Sequence, residues 1–140
     1  MAVVVDASVA IKWVVEEPGT ASAVKLRQGR LLAPDLLNAE CANILWKKVR
    51  RGELDLDEAA LAARLLQHSE IELRPTRPLL WQATEMACRL DHPAYDCMYL
   101  ALAVAEDTAF VTADEHFLRV LATRPNPWRQ RAFGLGAIGG

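Results

Sequence analysis

The chain has 140 residues, of which 52% are hydrophobic and 24% are charged, and its formal net charge at pH 7 is −2. A chain of this length and composition predicts one soluble domain with a substantial hydrophobic core. No apolar run reaches the ~18 residues that cross a bilayer, so no membrane span is expected. The small negative charge also argues against a protein that attracts nucleic acid through a general positive field.

The amino terminus and the cysteines predict a cytoplasmic protein. The first residues, MAVVVDAS, lack a basic segment and reach an acid at Asp6, unlike a signal peptide. Cys41, Cys88 and Cys97 are odd in number, show no metal-ligand spacing and fall within helical patterns. We interpret them as buried free thiols in a reducing compartment.

Strand and helix patterns alternate along the chain. The first half predicts a strand at 2–5, helices at 8–16 and 20–28, a strand at 30–34 and a helix at 35–51. The second half predicts a helix at 57–69, a strand at 71–75, helices at 80–90 and 93–105, a strand at 109–112 and a helix at 115–122. This alternation predicts an α/β fold with a parallel sheet covered on both faces, in a single domain at 1–133. The glycine-rich segment 134–140 is predicted to be a flexible tail.

Two aspartates follow predicted strands closely. Asp6 comes directly after the first strand, and Asp114 lies just beyond the last one, in the segment FVTADEH. The carboxyl ends of parallel strands share one edge of the sheet, where such folds bind their ligands. Each aspartate also suits a helix N-cap, and for either one alone the cap is the simpler interpretation.

Two further acids flank apolar helix faces. Asp96 lies in the first turn of the most apolar helix, on the side of Tyr99, where an unpaired charge would be costly or would shift its pKa upward. Glu40 flanks the apolar stripe of its own helix. A surface ion pair with Lys47 is an alternative explanation for Glu40.

If the four acids converge, a cation must offset their mutual repulsion. A set of carboxylate oxygens selects Mg²⁺, or Mn²⁺ in its place, over zinc. His68, His92 and His116 show no ligand spacing and are interpreted as surface or cap residues. The hydroxyls of Ser8 and Thr112 lie two residues from acids at the same edge, where they could bind a phosphate, orient a carboxylate or cap a helix.

Basic residues form two clusters. The first is Lys47, Lys48, Arg50 and Arg51, and the second is Arg124, Arg129 and Arg131. A local nucleic-acid patch and a solvated helix end that suits the macrodipole would both explain such clusters. Composition alone favours the solvated face.

Four segments of the chain carry a resemblance to a known family. They are VVVDASVAIKW at the start, LLNAECANILWK, AYDCMYLALAV and FVTADEHF. In this order and at these separations, they resemble the PIN domain, specifically the VapC-type toxins of bacterial toxin–antitoxin pairs. The similarity runs from about residue 2 to about residue 122. It implies a PIN-like three-layer α/β/α sandwich around a parallel sheet, with a metal-dependent ribonuclease site.

The resemblance also implies roles for individual residues. The catalytic and metal-binding acids would be Asp6, Glu40, Asp96 and Asp114. Thr112 matches the family's hydroxyl position, Ser8 falls on a common serine, Asn43 is a polar neighbour of the glutamate, and Cys97 stands where a small residue is usual. The implied protein is a Mg²⁺- or Mn²⁺-dependent endoribonuclease, restrained by a VapB-type antitoxin. We further expect a homodimer whose RNA contacts include Lys47, Lys48, Arg50 and Arg51.

Three rival interpretations start from the same acids. A phosphoacceptor receiver module is also α/β. Receiver modules share an acid pair at the first strand and a lysine after the last strand. This chain has a lone aspartate at the first position and no lysine in TADEHF. A Mg²⁺ phosphatase would need a second aspartate in DAS. The third rival is a PIN fold kept as a binding or signalling module with an acidic metal pocket but no nuclease activity.

Overall fold

The structure of the chain is a computed structural model that describes residues 2–138. These residues form five strands: β1 (Ala2–Val5), β2 (Arg30–Pro34), β3 (Ile71–Arg74), β4 (Ala109–Thr112) and β5 (Ala132–Gly134). They also form eight α-helices: α1 (Ala7–Ala10), α2 (Thr20–Lys25), α3 (Leu36–Arg50), α4 (Leu56–Gln67), α5 (Leu80–Leu90), α6 (Ala94–Ala105), α7 (Glu115–Thr123) and α8 (Leu135–Ile138). Short 3₁₀ turns occupy Ile11–Trp13, Leu26–Gln28, Arg77–Leu79 and Arg129–Arg131.

All five strands are parallel and lie in the order β3-β2-β1-β4-β5. The apolar, β-branched strand β1 takes the central position, where Val4 pairs with Leu32 on one side and with Phe110 on the other. Because the strands are parallel, the residues that follow β1 and β4 emerge at the same edge of the sheet. The predicted parallel α/β architecture is confirmed.

The two faces of the sheet carry separate apolar clusters, as the alternation of side chains along a strand requires. One cluster contains Val4, Leu32 and Phe110, and the other contains Val5, Leu31 and Val111. Helix α6 packs against β1, β2 and β4 on the first face, whereas α8 packs against β4 and α2 on the second. The result is the expected three-layer sandwich.

Helix α6 is the central helix of the first face. Cys97, Tyr99 and the run Leu100–Ala103 are buried, as predicted for a helix that is apolar on nearly all sides. Asp96 lies in its first turn. The tight packing of α6 therefore fixes the position of a predicted site residue. Despite the apolar character of α6, none of the helices within residues 2–138 is long and apolar enough to cross a membrane.

The carboxyl-terminal region contains two elements, β5 and α8, that the sequence did not predict. Strand β5 was not predicted, because three residues are too few to show an alternating pattern. Its last residue, Gly134, pairs with Thr112, and Leu135 packs against the second apolar cluster. The ordered elements thus extend beyond residue 133. The last two residues of the predicted tail, 139–140, lie outside the described residues, and the flexibility of the segment stays a prediction.

The cysteines are all free, but they are not all buried. Cys41 and Cys97 lie in the core, as expected, whereas Cys88 is exposed. The expectation of three buried thiols was wrong because Cys88 lies on the solvent side of α5, while Met86 and Leu90 face the core.

An ion-pair network joins α3 to the loop that follows α1. Glu17 contacts the amino groups of Lys12 at 3.1 Å and Lys48 at 2.7 Å. Burial raises the pKa of Glu17, but the two lysines outweigh burial and hold that pKa below its ordinary value. The network fixes the carboxyl-terminal half of α3, the helix that also carries Glu40.

Candidate functional site

The four predicted acids line one cleft at the carboxyl edge of the sheet. Its volume is about 240 Å³, and its lining residues are Asp6, Ala7, Ser8, Glu40, Asn43, Ile44, Lys47, Asp96 and Asp114. The acids come from four separate segments: the end of β1, α3, the first turn of α6 and the residue before α7. The parallel sheet and the packing of α3 and α6 therefore bring together residues that are far apart in sequence.

Asp6 is the most buried of the four acids, with 4% of its surface exposed. Its Oδ1 accepts hydrogen bonds from Ser8 Oγ at 2.5 Å and from the backbone amide of Val9 at 3.2 Å, and its Oδ2 accepts one from Thr112 Oγ1 at 2.5 Å. The bond from Val9 makes Asp6 the N-cap of α1, so Asp6 is both a helix cap and a residue of the cleft. Burial raises the pKa of Asp6 to about 7, although the bonds from Ser8 and Thr112 oppose the rise.

Ser8 and Thr112 each link Asp6, at the end of β1, to the segment that follows β4. Ser8 Oγ accepts a hydrogen bond from the amide of Ala113 at 3.0 Å while it donates to Asp6. Thr112 Oγ1 accepts one from the amide of Asp114 at 3.0 Å while it donates to Asp6. Of the alternatives open for these hydroxyls, the structure shows the one in which they orient a carboxylate.

Glu40 is half-buried and is held by a tyrosine from another helix. The hydroxyl of Tyr99 on α6 donates to Glu40 Oε1 at 2.5 Å. The ion pair considered between Glu40 and Lys47 is not present in the described part of the chain. Burial, helped by the charge of Asp96, raises the pKa of Glu40, and the bond from Tyr99 opposes that rise. Burial and the neighbouring carboxylate raise the pKa of Tyr99 itself, so its phenol stays protonated and remains a donor.

Asp96 contacts a histidine that the sequence did not single out as a site residue. His92 Nε2 lies 2.7 Å from Asp96 Oδ2, and only 6% of the histidine side chain is exposed. Its ring packs against Phe117, with the centroids 4.8 Å apart. The interpretation of His92 as a surface or cap residue was therefore wrong, whereas His68 and His116 are exposed as expected. Burial raises the pKa of Asp96, while His92 opposes the rise and Asp114 adds to it.

Asp114 combines both roles considered for it. Its Oδ1 accepts hydrogen bonds from the amides of His116 at 3.0 Å and Phe117 at 3.2 Å, which makes it the N-cap of α7. The same residue lines the cleft. The neighbouring Glu115 is exposed and is not among the residues that line it.

Asp96 is the common neighbour of the other three acids. Its charge raises the pKa of Asp6 and of Glu40, and its own pKa is raised by Asp114. Four crowded carboxylates are a suitable donor set for a hard, oxygen-binding cation. Within residues 2–138, no three such side chains already surround a single point, and each acid is bonded to an internal donor. An ion would therefore have to draw the carboxylates closer together.

The basic residues of α3 have different environments. Lys47 is exposed and lines the cleft. Lys48 is 12% exposed and is paired with Glu17, so its charge is largely neutralised. Arg50 lies over the ring of Trp46, with 5.4 Å between the guanidinium carbon and the ring centroid. Arg51 is 3.9 Å from Glu53 and remains exposed.

Comparison with known proteins identifies the fold family. The family model for the PIN domain matches residues 3–121. The chain belongs to the PIN-domain family. The resemblance seen in the sequence is thereby confirmed. Comparison with the sequences of curated proteins finds no match.

Two solved structures share this PIN fold. One is PAE2754 from Pyrobaculum aerophilum, with a TM-score of 0.74 and 22% identity over 99% of this chain and 93% of that one. The other is Mycobacterium tuberculosis VapC20, a toxin that cleaves the sarcin–ricin loop, with a TM-score of 0.61 and 16% identity over 88% of this chain and 99% of that one. At these identities, the likeness shows the fold alone.

Sequence reasoning missed two polar residues of this PIN domain, His92 and Tyr99. Tyr99 carries a weak signal, because its hydroxyl is the one polar group on the apolar surface of α6 and lies one turn after Asp96. His92 lies four residues before Asp96, but it precedes Pro93, the N-cap of α6, so its helical spacing from Asp96 is not part of the pattern of the helix. Asp6 and Asp114 were singled out because each follows a predicted strand, and Asp96 and Glu40 because each lies beside an apolar helix face.

The raised pKa of Asp6 predicts a pH-dependent stability in buffer that contains no divalent ions. The folded protein holds a proton on Asp6 up to about pH 7, whereas an aspartate in the unfolded chain has an ordinary pKa of 3.8. This contribution is complete below pH 3.8 and is lost as the pH rises through about 7. The free energy of unfolding should therefore fall by a few kcal/mol over that interval, since one pKa unit corresponds to ~1.4 kcal/mol.

Urea unfolding at a series of pH values measures this effect. The Asp6→Asn variant should have a shallower downward slope between pH 4 and 7, whatever its absolute stability, and the raised pKa values of Glu40 and Asp96 account for the slope that remains. Asp57→Asn, at an exposed position in the first turn of α4, serves as the control and should keep the wild-type slope. Equal slopes in wild type and Asp6→Asn would show that Asp6 is ionised in the folded protein.

Proposed function

We propose that this PIN domain is a Mg²⁺-dependent endoribonuclease, with Mn²⁺ as a substitute ion, and that it acts in the cytoplasm as the VapC-type toxin of a toxin–antitoxin pair. The observation that carries the proposal is the convergence of Asp6, Glu40, Asp96 and Asp114 on one cleft. Repulsion among four carboxylates is unfavourable unless a cation offsets it. PIN domains are generally nucleases, which supports the same conclusion.

The residues of the cleft suit distinct tasks in phosphodiester hydrolysis. Asp6, Asp96 and Asp114 would hold the ion, with Ser8, Thr112 and His92 orienting two of these carboxylates. When bound, a divalent ion polarises a phosphoryl oxygen and lowers the pKa of bound water. Glu40 is either a further ligand or the base that accepts a proton from water. Its raised pKa makes it a stronger base than an ordinary glutamate.

The principal alternative is a PIN fold that binds a metal or a phosphorylated partner without cleaving RNA. The complete set of four acids argues against it, because binding alone does not need a further buried carboxylate. A receiver-like role is disfavoured because the segment TADEHF, at the end of β4, contains no lysine. Metal binding without RNA cleavage would favour the binding module.

Replacing Asp96 by asparagine should sharply reduce both RNA cleavage and metal binding by the cleft. Because Asp96 neighbours the other three acids, its loss should reduce RNA cleavage by more than about 100-fold, since even groups that only orient metal ligands contribute about 10- to 100-fold. In the wild type, Mg²⁺ or Mn²⁺ at 100 times its Kd should raise the Tm by roughly 5–10 °C, through ~2.7 kcal/mol of binding. The variant should show a much smaller shift.

Glu115→Gln is a matched control for this experiment. Glu115 is an exposed acid next to Asp114, so its replacement removes the same charge without removing a carboxylate of the cleft. Cleavage of total RNA and thermal melting with and without Mn²⁺ should match the wild type. If Asp96→Asn cleaves RNA as Glu115→Gln does, Asp96 is not part of a nuclease site.

We also propose that Lys47, Arg50 and Arg51 contact the RNA backbone, whereas Lys48 supports α3 through Glu17. Lys47 lines the cleft, Arg50 is the last residue of α3, and Arg51 is its C-cap. A homodimer would extend this surface. The exposed Leu80 and Trp81 on α5 are suitable for a subunit contact, which sedimentation of the purified chain would test.

The RNA contact predicts a change in salt dependence. With EDTA present to prevent cleavage, RNA affinity should fall as salt rises, and Lys47→Gln should reduce the slope of log K against log salt by about 0.7, the value for one phosphate contact on a single strand. Arg64→Gln removes one positive charge from the exposed surface of α4 and should leave the slope unchanged. Identical slopes for the two variants would show that Lys47 is an ordinary solvated lysine that does not contact the RNA.

The proposed antitoxin would restrain the cleft with a peptide. A basic side chain of that peptide would pair with Asp6, Glu40 or Asp96 and compete with the ion. Apolar side chains of the peptide would bind in a groove of about 430 Å³ on the other side of α3. The residues that line this groove include Leu37, Cys41, Leu45 and Leu66. Helix α3 separates the two surfaces, since Glu40 faces the cleft and the adjacent Cys41 faces the groove.

Calorimetry tests this mode of inhibition. Mn²⁺ titrated into the complex should bind at least about 10-fold more weakly than into the free chain, because the peptide's cation occupies the acids. Changing that basic residue of the peptide to alanine should restore the affinity and weaken inhibition. Equal Mn²⁺ affinity in the free chain and the complex would place the inhibitor away from the acids.

A further inference from the structure

Glu40 differs from the other three acids in how its side chain is held. Asp6, Asp96 and Asp114 each have a donor within four residues in sequence, namely Ser8, His92 and the amide of His116. Glu40 has the longest of the four side chains, and its donor is 59 residues away. Without that donor, the carboxylate of Glu40 would be free to rotate about its three side-chain torsions.

The donor itself is enclosed by the core. Tyr99 is fully buried, and its ring is stacked on Phe110 of β4, with the centroids 5.8 Å apart and the planes 11° from parallel. Helix α6 packs directly on the sheet at this point. The hydroxyl is therefore held by the core behind Glu40, and its bond to Oε1 leaves Oε2 as the atom that can face an ion or a water.

We propose that Tyr99 is a positioning residue that holds the Glu40 carboxylate in its working orientation. The inference rests on the proposed nuclease function and extends it to a residue outside the acid set. Tyr99 acts only through Glu40, because its hydroxyl bonds to that carboxylate and its ring lies in the core. Its removal should therefore affect the reaction step and the bound ion, with little effect on RNA affinity.

The sequence provides a matched pair of variants, since the chain contains two tyrosines and both are on α6. Tyr99→Phe deletes the hydroxyl and keeps the ring stacked on Phe110. Tyr95→Phe makes the same chemical change at a position that is 62% exposed and serves as the control. Tyr99→Phe should lower kcat by about 10-fold or more and weaken Mn²⁺ binding by a similar factor, with KM nearly unchanged. Tyr95→Phe should match the wild type in all three.

A double-variant cycle shows whether Tyr99 acts through Glu40. In a Glu40→Gln background, Tyr99→Phe should cause less than about a twofold further change in Mn²⁺ affinity and cleavage, because the group that it positions is already altered. Mn²⁺ calorimetry without RNA keeps the test separate from the nuclease assay. If the wild type binds Mn²⁺ and Tyr99→Phe behaves like Tyr95→Phe, the inference about Tyr99 is overturned while the proposed function stands. Absence of Mn²⁺ binding and cleavage in the wild type would overturn the proposed function and the inference with it.

Discussion

The arrangement of the cleft depends on one buried carboxylate, that of Asp6. A carboxylate removed from water is unfavourable unless hydrogen bonds replace its hydration. Asp6 obtains three, from Ser8, Val9 and Thr112, and the two hydroxyls accept hydrogen bonds in turn from the segment that follows β4. The same bonds therefore satisfy Asp6 and align the edge of β4 with that of β1. Loss of either hydroxyl would affect both the charge and the alignment of the two strands.

The position of the other acids follows from packing. Helix α6 is nearly apolar throughout and is enclosed by the sheet and α5, so its first turn has little freedom to move. Asp96 is carried at that turn, and Tyr99 reaches from the next turn to Glu40 on α3. The Glu17 network fixes α3 at its other end. The cleft is thus formed by rigid elements of the core, which is where precise positioning of functional groups is best achieved.

The sequence predicts the parts of this protein that depend on local patterns. The apolar run of β1 and the uninterrupted apolar surface of α6 each required burial, and Asp6 and Asp96 were conspicuous because they interrupt such patterns. Contacts between distant segments could not be predicted in the same way. The bond between Tyr99 and Glu40, the pairing of Lys48 with Glu17 and the burial of His92 depend on how helices and turns pack together. Strand β5 was missed because its pairing with β4, and not its own sequence, makes it a strand.

The central position of β1 has a consequence for the order in which the protein is completed. During synthesis the amino-terminal segment leaves the ribosome first, and Asp6 emerges more than 100 residues before Thr112, its partner at a sequence separation of 106. Until Thr112 has emerged, one oxygen of Asp6 has no donor from β4, and Asp114, the fourth acid of the cleft, is not yet free to join the others. A nascent chain that ends before residue 114 therefore cannot possess the complete set of acids. This order keeps the growing chain without a complete cleft until the central strands have assembled.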